Sequence, residues 1–136
     1  MTVLAFCAVS LVLIVALTSA LATDPRVRWR IRSRRPEEKR GVALLRSWLT
    51  PAQALQWDSR AEFEVVGCDT GTRYRITCGT IMNIHELDPG GNAVAQWCFA
   101  PEGRLVTGDV LLAQKIALET MESRVLALAN TQAYRR

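Results

Sequence analysis

Residues at the start of this chain are mostly apolar; after them, apolar residues recur at a helical interval, then at every second residue, and finally at a helical interval again. The opening region, residues 1–23, contains no charged side chain. As a helix, residues 2–22 would span about 30 Å, which is the thickness of the hydrocarbon core of a bilayer. The pattern therefore predicts a transmembrane helix over residues 1–23.

A cleaved signal peptide is the main alternative for the same residues, and a buried or interfacial helix is a further one. Ala20-Leu21-Ala22 has the small-x-small form of a cleavage site, and cleavage there would leave Thr23 as the first residue. However, no Lys or Arg precedes the apolar core, and the uncharged run is longer than the roughly 7–15 residues of a signal core. Both features favour an anchor that is retained.

A basic arm follows the apolar run. Residues 24–40 contain eight basic and three acidic side chains, and no basic residue precedes them. Lys and Arg next to a membrane span are retained on the cytoplasmic side. The sequence thus predicts a single-pass membrane protein with its amino terminus outside and its C-terminal domain in the cytoplasm.

Charged and apolar residues alternate strictly within this arm. An extended conformation would place Val27, Trp29 and Ile31 on one side of residues 26–32 and the arginines on the other. Aromatic and cationic side chains suit the headgroup layer of an anionic membrane. We predict membrane-surface contacts by Arg26, Arg28, Trp29, Arg30, Arg32, Arg34 and Arg35. A solvated linker and an arm that contacts single-stranded nucleic acid are the alternatives.

Two short helices are predicted at the start of the domain that follows, residues 41–136. The first covers residues 42–49. Thr50, Pro51 and Gln53 are typical of a second helix start, with a capping box between Thr50 and Gln53 and proline at the first helical position. This second helix should continue to about Ser59.

The apolar interval then changes to two, which predicts β-strands whose inner face carries Phe63, Val65, Tyr74, Ile76 and Cys78. Residues 62–66, 73–78, 81–87 and 93–99 are separated by turns rich in Gly, Asp and Pro. Connections this short favour a four-stranded antiparallel meander. A long helix over residues 110–130, with an apolar stripe to cover the sheet, completes a predicted α+β fold.

Residues 44–130, about two thirds of the chain, also resemble a family of short, uncharacterised bacterial proteins. The resemblance rests on short motifs spread over this region: Phe63-Glu64-Val65-Val66-Gly67, Thr70-Gly71, Tyr74-Arg75-Ile76, Asn83, Cys98, Pro101, Gly103, Gly108-Asp109, Leu112-Ala113-Gln114-Lys115, Leu118-Glu119 and Ala129-Asn130. The resemblance supports the domain boundary, and it implies no activity.

The domain shows little that predicts a cofactor or a polyanionic partner. Its nine basic and ten acidic residues create no field that would steer a nucleic acid, so we expect no nucleic-acid partner for it. Cys68, Cys78, His85 and Cys98 are ligand types for zinc, but their spacing contains no Cys-x-x-Cys pair. No phosphate-binding loop is present either. We predict no metal and no cofactor.

Any catalytic dyad or triad would have to use His85, the only histidine. We predict that the protein is not an enzyme but a membrane-anchored interaction or accessory module, with the lipid bilayer, anionic headgroups and other subunits of a membrane complex as partners. The alternative is a small cysteine-based enzyme or redox domain in which His85 activates Cys98.

Overall fold

The computed structural model describes residues 35–134, which form three helices and one antiparallel sheet of five strands in the order β1-β2-β3-β4-β5. The elements, in chain order, are α1 (Pro36–Trp48), α2 (Pro51–Arg60), β1 (Glu62–Val66), β2 (Arg73–Thr77), β3 (Ile84–Leu87), β4 (Ala93–Cys98), α3 (Thr107–Leu128) and β5 (Asn130–Ala133). The described fold is therefore α+β, with helices on one face of a meander.

The structure corrects the prediction of a single-pass membrane protein and of a fold that includes a transmembrane helix. Among residues 35–134, no helix combines the length and the apolar character needed to cross a membrane. The predicted span, residues 1–23, lies outside the described residues, and so do arm residues 24–34. Of the seven predicted membrane-surface residues, the structure places Arg35 alone, exposed and immediately before α1.

Helix α1 begins inside the predicted arm, before the predicted start at residue 42. Pro36 occupies the first turn, where a missing N–H is harmless, and Glu37 and Glu38 lie at the positive end of the helix dipole. These start signals lie within the basic run, and they extend the helical domain toward the amino terminus.

Helix α2 has the predicted cap. The Gln53 N–H donates to Thr50 Oγ1 at 3.3 Å, and the Thr50 N–H donates to Gln53 Oε1 at 3.0 Å. The helix ends at Ala61, whose left-handed backbone (φ 55°) turns the chain directly into β1. The capping box predicted from sequence is confirmed.

The core lies between the sheet and the helices. The strand positions predicted to face inward are all buried: Phe63, Val65, Tyr74, Ile76 and Cys78. Leu45 of α1 and Leu111 and Leu118 of α3 are 0% exposed and cover this face. The alternation of apolar residues thus identified the correct face of β1 and β2.

The predicted four-stranded sheet is wrong, because a fifth strand exists. The last helix was predicted through residue 130 but ends at Leu128, and Asn130–Ala133 then pair with β4. The sequence Asn-Thr-Gln-Ala has no apolar alternation, and all four residues are exposed. Only pairing with β4 defines this strand, so the local sequence could not reveal it.

Helices α1 and α3 cross at two glycines. A Cβ atom at Gly108 would collide with the backbone of Gly41, so the crossing requires glycine there. The close approach also brings the Glu38 carboxylate to the Thr107 N–H at 2.9 Å. Because Val106, the residue before α3, has no side-chain acceptor, Glu38 of α1 caps the start of α3.

A second buried polar contact fixes α3 against the sheet. The side-chain amides of Gln114 and Asn83 exchange two hydrogen bonds, of 2.9 and 3.0 Å, and Gln114 Nε2 also donates to the Phe99 carbonyl at 2.8 Å. Both side chains are buried. These bonds set the position of α3 relative to the ends of β3 and β4.

Candidate functional site

A buried carboxylate joins α3 to the β1–β2 turn. Glu122 is 0% exposed, and its oxygens accept hydrogen bonds from the Asp69 N–H (2.7 Å), the Thr70 N–H (2.8 Å), the Thr70 hydroxyl (2.6 Å) and the Tyr74 hydroxyl (2.8 Å). A Cβ atom at Gly67 would collide with this carboxyl group. The turn therefore closes around the Glu122 side chain.

Helix α3 is broken beside this carboxylate. Met121 has non-helical backbone angles (φ −153°, ψ 42°), which free the N–H groups of the residues that follow. The turn satisfies them, since the Ser123 N–H donates to Asp69 Oδ2 at 2.8 Å and the Glu122 N–H donates to Cys68 Sγ at 3.4 Å. A neighbouring loop thus caps the second part of α3.

The hydrogen bonds keep this cluster ionised. Burial alone would raise the pKa of the Glu122 carboxyl, but the bonds from Thr70, Tyr74 and Asp69 outweigh burial and lower it. The pKa of Asp69 is lowered mainly by the bonds from Ser123. Burial, and then the neighbouring Glu122 carboxylate, raise the pKa of Tyr74. Tyr74 therefore stays a hydrogen-bond donor at neutral pH.

The same cluster contains three types of metal ligand. Atoms of Cys68, Asp69 and Glu122 lie within 4.8 Å of one another. However, N–H and O–H donors from the protein already point at both Glu122 oxygens, and they would face any cation bound there. These hydrogen bonds connect α3 to the sheet, and we call the cluster of Cys68, Asp69, Thr70, Tyr74 and Glu122 the Glu122 joint.

The structure does not assemble the dyad of Cys98 and His85. His85 lies opposite Gln96, and its Nδ1 atom is 2.9 Å from the Tyr134 hydroxyl. Within residues 35–134, no hydrogen bond joins Cys98 to His85. Burial, and then the charge of Arg75, lower the pKa of His85. The lower pKa disfavours the protonated imidazolium, which is the form that would stabilise a thiolate.

The four residues considered for zinc are not brought together either. Cys68 is part of the Glu122 joint, Cys78 is buried at the end of β2, and His85 is hydrogen-bonded to Tyr134. Cys98 lines a surface groove. The ligand types in the sequence therefore belong to four different environments.

The two edges of the sheet differ in a way that the sequence did not reveal. At the β1 edge, the outward N–H of Glu64 donates to Gln56 Oε1 at 2.9 Å, and its carbonyl accepts from Gln53 Nε2 at 2.8 Å. Two glutamine side chains of α2 thus take the place of a neighbouring strand. The central residue of β1 therefore has no main-chain group left for a further strand, and we call this side of the sheet the closed edge.

The β5 edge has no such cover within residues 35–134. The Tyr134 N–H donates to the Val94 carbonyl at 3.0 Å, and hydrogen-bonded pairs alternate along an antiparallel ladder. The N–H and carbonyl groups of Asn130 and Gln132 therefore face β4, whereas those of Thr131 and Ala133 face away from the sheet. We call these outward groups the open edge.

An apolar groove adjoins the open edge. It has a volume of about 550 Å³, and Asn130, the first residue of β5, is part of its lining. Leu128, at the end of α3, is 83% exposed beside it. The groove is lined by Cys98, Phe99, Ala100, Pro101, Ala113, Ala117, Val125, Leu128 and Asn130. An extended segment paired with β5 would have apolar surface next to it.

Comparison with protein-family models, with curated proteins and with solved structures gives no match for this chain. This result is consistent with the resemblance to an uncharacterised family noted above. The groove and the open edge therefore have to be interpreted from their own geometry. Sequence reasoning missed both, because they depend on a strand that only tertiary pairing defines.

Proposed function

We propose that this protein is a non-enzymatic interaction module, and that its open edge binds an extended segment of a partner protein. The observation that carries the proposal is the difference between the two sheet edges: Gln53 and Gln56 close the β1 edge, whereas the outward groups of Thr131 and Ala133 are left without a partner in the described chain. An interaction module is also the class of protein that the sequence suggested, but the proposed function does not involve a membrane anchor.

The composition of β5 supports this interpretation. Proteins usually protect exposed edge strands by keeping them very short, or with charged residues, proline or a bulge. Asn130–Ala133 form a short strand, but they contain no charge and no proline, and they pair with β4 in an unbroken register. An edge without charge, proline or bulge can accept another strand through main-chain hydrogen bonds, as in β-strand addition.

The groove supplies the second requirement, a surface that distinguishes one peptide from another. In a strand, every second side chain points to the same face. A segment paired with Thr131 and Ala133 would direct alternate side chains toward the apolar groove beside Leu128. The expected ligand is therefore an extended segment with an apolar side chain at every second position.

A displayed library of random heptapeptides, selected on the full-length protein, tests this function. The variants Thr131→Pro and Ala133→Pro remove the outward N–H groups, and proline is tolerated at positions of an edge strand that face away from the ladder. Leu128→Gln reduces the apolar surface of the groove and leaves the backbone intact. Gln132→Thr is the matched control, because the Gln132 backbone faces β4.

We expect selected peptides with alternating apolar residues, whose affinity falls by about tenfold or more in both proline variants and less in Leu128→Gln. The Gln132→Thr control should bind as the wild type does. Failure to select any peptide, or selected peptides that bind the proline variants as tightly as the wild type, would contradict the proposed function.

A further inference from the structure

We propose that Asp69 is a positioning residue for the apolar groove, because its side chain holds the second part of α3, residues 122–128, against the β1–β2 turn. Asp69 itself does not line the groove. The inference rests on the proposed function, since the shape of the groove matters to binding only if a partner uses it. It adds a residue outside the binding surface that determines the geometry of that surface.

Both parts of α3 line the groove. Ala113 and Ala117 precede the break at Met121, whereas Val125 and Leu128 follow it. A change of direction at Met121 would therefore move one pair of lining residues relative to the other. The shape of the groove depends on how firmly each part of the helix is held.

The first part of α3 is held by the core. Leu111 and Leu118 are 0% exposed and belong to the main cluster of apolar side chains. Gln114 is buried as well, and it is hydrogen-bonded to the Asn83 side chain and to the Phe99 carbonyl. This part of the helix therefore provides a fixed wall for the groove.

The second part of α3 has much less apolar packing. Of residues 122–128, Glu122 alone is buried, and it is polar. Val125 and Leu126 are half-buried against the core, and Leu128 is 83% exposed. Segments with few buried apolar contacts open locally at a low cost in free energy. The polar contacts at the start of this part therefore have a large share in keeping it in place.

Asp69 provides one of these polar contacts. Its Oδ2 atom accepts a hydrogen bond from the Ser123 N–H at 2.8 Å, in the first turn after the break. The N–H groups of a first turn have no partner within the helix, and an aspartate that accepts from one of them acts as a cap. Its negative charge also lies at the positive end of the helix dipole. The Asp69 side chain thus stabilises the helical form of residues 122–128 where they meet the turn.

The Asp69 side chain can be changed without removing the donors to Glu122. These donors are the main-chain N–H groups of Asp69 and Thr70 and the hydroxyls of Thr70 and Tyr74. Asp69 is exposed, so its truncation leaves no cavity in the core. Asp69→Ala therefore removes the cap and leaves the hydrogen bonds to the buried carboxylate in place.

Asp69→Asn is the matched control. The amide oxygen of asparagine can accept a hydrogen bond from the Ser123 N–H, and asparagine and aspartate are about equally good helix caps. A role that depends on capping is therefore preserved in Asp69→Asn and lost in Asp69→Ala. A general effect of changing this turn would appear in both variants.

Hydrogen exchange of backbone amides, measured by NMR on the full-length protein without a partner, tests the inference. The amides of Leu126, Ala127 and Leu128 lie one turn after residues 122–124, whose carbonyls accept from them, so they exchange only when the second part of α3 opens. The Ile76 amide lies in β2, between two other strands, and reports global unfolding. Comparing these rates separates movement of the second part from unfolding of the whole domain.

We expect the three amides at the end of α3 to exchange about fivefold faster in Asp69→Ala than in the wild type, which is the usual effect of losing a helix cap. Asp69→Asn should exchange as the wild type does. Rates that are unchanged in Asp69→Ala, or equally raised in both variants, would overturn the inference. Protection of the three amides equal to that of Ile76 would also overturn it, because the second part would then open only with the whole domain.

A peptide from the selection connects these exchange rates with binding. A partner that uses the groove binds only when the second part of α3 is in place, so a peptide at about ten times its dissociation constant should slow exchange of the same amides about tenfold. A bound peptide that leaves the rates unchanged would show that binding does not use the second part of α3, and it would overturn the inference.

The outcomes separate this inference from the function on which it rests. If peptides are selected but exchange is the same in Asp69→Ala and in the wild type, the proposed function stands and Asp69 is not a positioning residue. If exchange is faster in Asp69→Ala but no peptide is selected, Asp69 positions the second part of α3 as inferred, and the proposed function alone is contradicted.

Discussion

The Tyr74 hydroxyl donates a hydrogen bond of 2.8 Å to the Glu122 carboxylate and so links β2 to the broken helix α3. Beyond the break, α3 ends at Leu128, and β5 starts two residues later. The Glu122 joint therefore helps to determine where Leu128 and the open edge lie. The position of the proposed binding surface therefore depends on the hydrogen bond between Tyr74 and Glu122, although neither residue lines the groove.

Replacing Glu122 by Gln should destabilise the fold. The amide nitrogen of glutamine would face N–H and O–H donors that now share a carboxylate, and hydrogen bonds to a charged group contribute about 1.5–3 kcal/mol each. We expect a loss of about 2–4 kcal/mol in the free energy of unfolding at pH 7. Urea denaturation measures it.

Glu119→Gln is the matched control for this substitution. Glu119 lies one turn earlier on α3 and pairs with Lys115 through a partly exposed carboxylate. Lys115 is buried, but the glutamine side chain can still accept a hydrogen bond from it, so we expect a loss of about 1 kcal/mol. Equal effects of the two substitutions would show that the Glu122 joint has no special role in stability.

The lowered pKa of Glu122 also predicts a dependence of stability on pH. A carboxyl whose pKa is lower in the folded than in the unfolded state stabilises the fold above its unfolded pKa of about 4.3, and this contribution is lost as the pH falls through the folded pKa. The difference in the free energy of unfolding between the wild type and Glu122→Gln should therefore decrease as the pH is lowered below about 4.3. A difference between the two proteins that stays constant from pH 7 to pH 3 would contradict this account.

The glycine crossing of α1 and α3 predicts a steric effect. In Gly108→Ala, the new methyl group meets the Gly41 backbone, which cannot move aside as a side chain could. We expect a loss of about 3 kcal/mol, at the upper end of the usual cost of overpacking. Gly91→Ala is the comparison, because no atom lies within 4 Å of the new Cβ and only the positive φ of 83° opposes it. It should cost about 1 kcal/mol.

The separation of Cys98 from His85 predicts an ordinary thiol. Cys98 should react with iodoacetamide near neutral pH no faster than free cysteine does. His85→Ala should leave that rate unchanged. A fast reaction of Cys98 that slows in His85→Ala would revive the cysteine-based enzyme or redox domain as the function.

Sequence patterns predicted the parts of the fold that depend on neighbouring residues. The capping box at Thr50 and the buried alternation of Phe63 and Val65 follow from local rules, and both are present. The fifth strand was missed, because Asn130–Ala133 have a polar sequence that becomes a strand only beside β4. The break at Met121 was missed as well, since it is stabilised by Asp69 and Cys68 from a distant turn.

Local sequence patterns could not predict the candidate site for the same reason. Whether a strand edge is open depends on what lies next to it, and Gln53 and Gln56 in the sequence gave no sign that they would cover β1. Glu122 lies within a long helical stretch, where an acidic residue is normally expected on the exposed face. Its burial is explained by four donors, three from the β1–β2 turn and one from Tyr74 of β2.

The most direct test of the central claim is a filtered NOE experiment on isotopically labelled full-length protein with an unlabelled peptide from the selection. If the open edge is the binding site, contacts to the peptide should concentrate at the amide protons of Thr131 and Ala133 and at the Leu128 methyl groups, with none at Glu64 on the closed edge. Peptide contacts that avoid β5, or that are found at Glu64 instead, would contradict the claim that this protein binds its partner by adding a strand to its sheet.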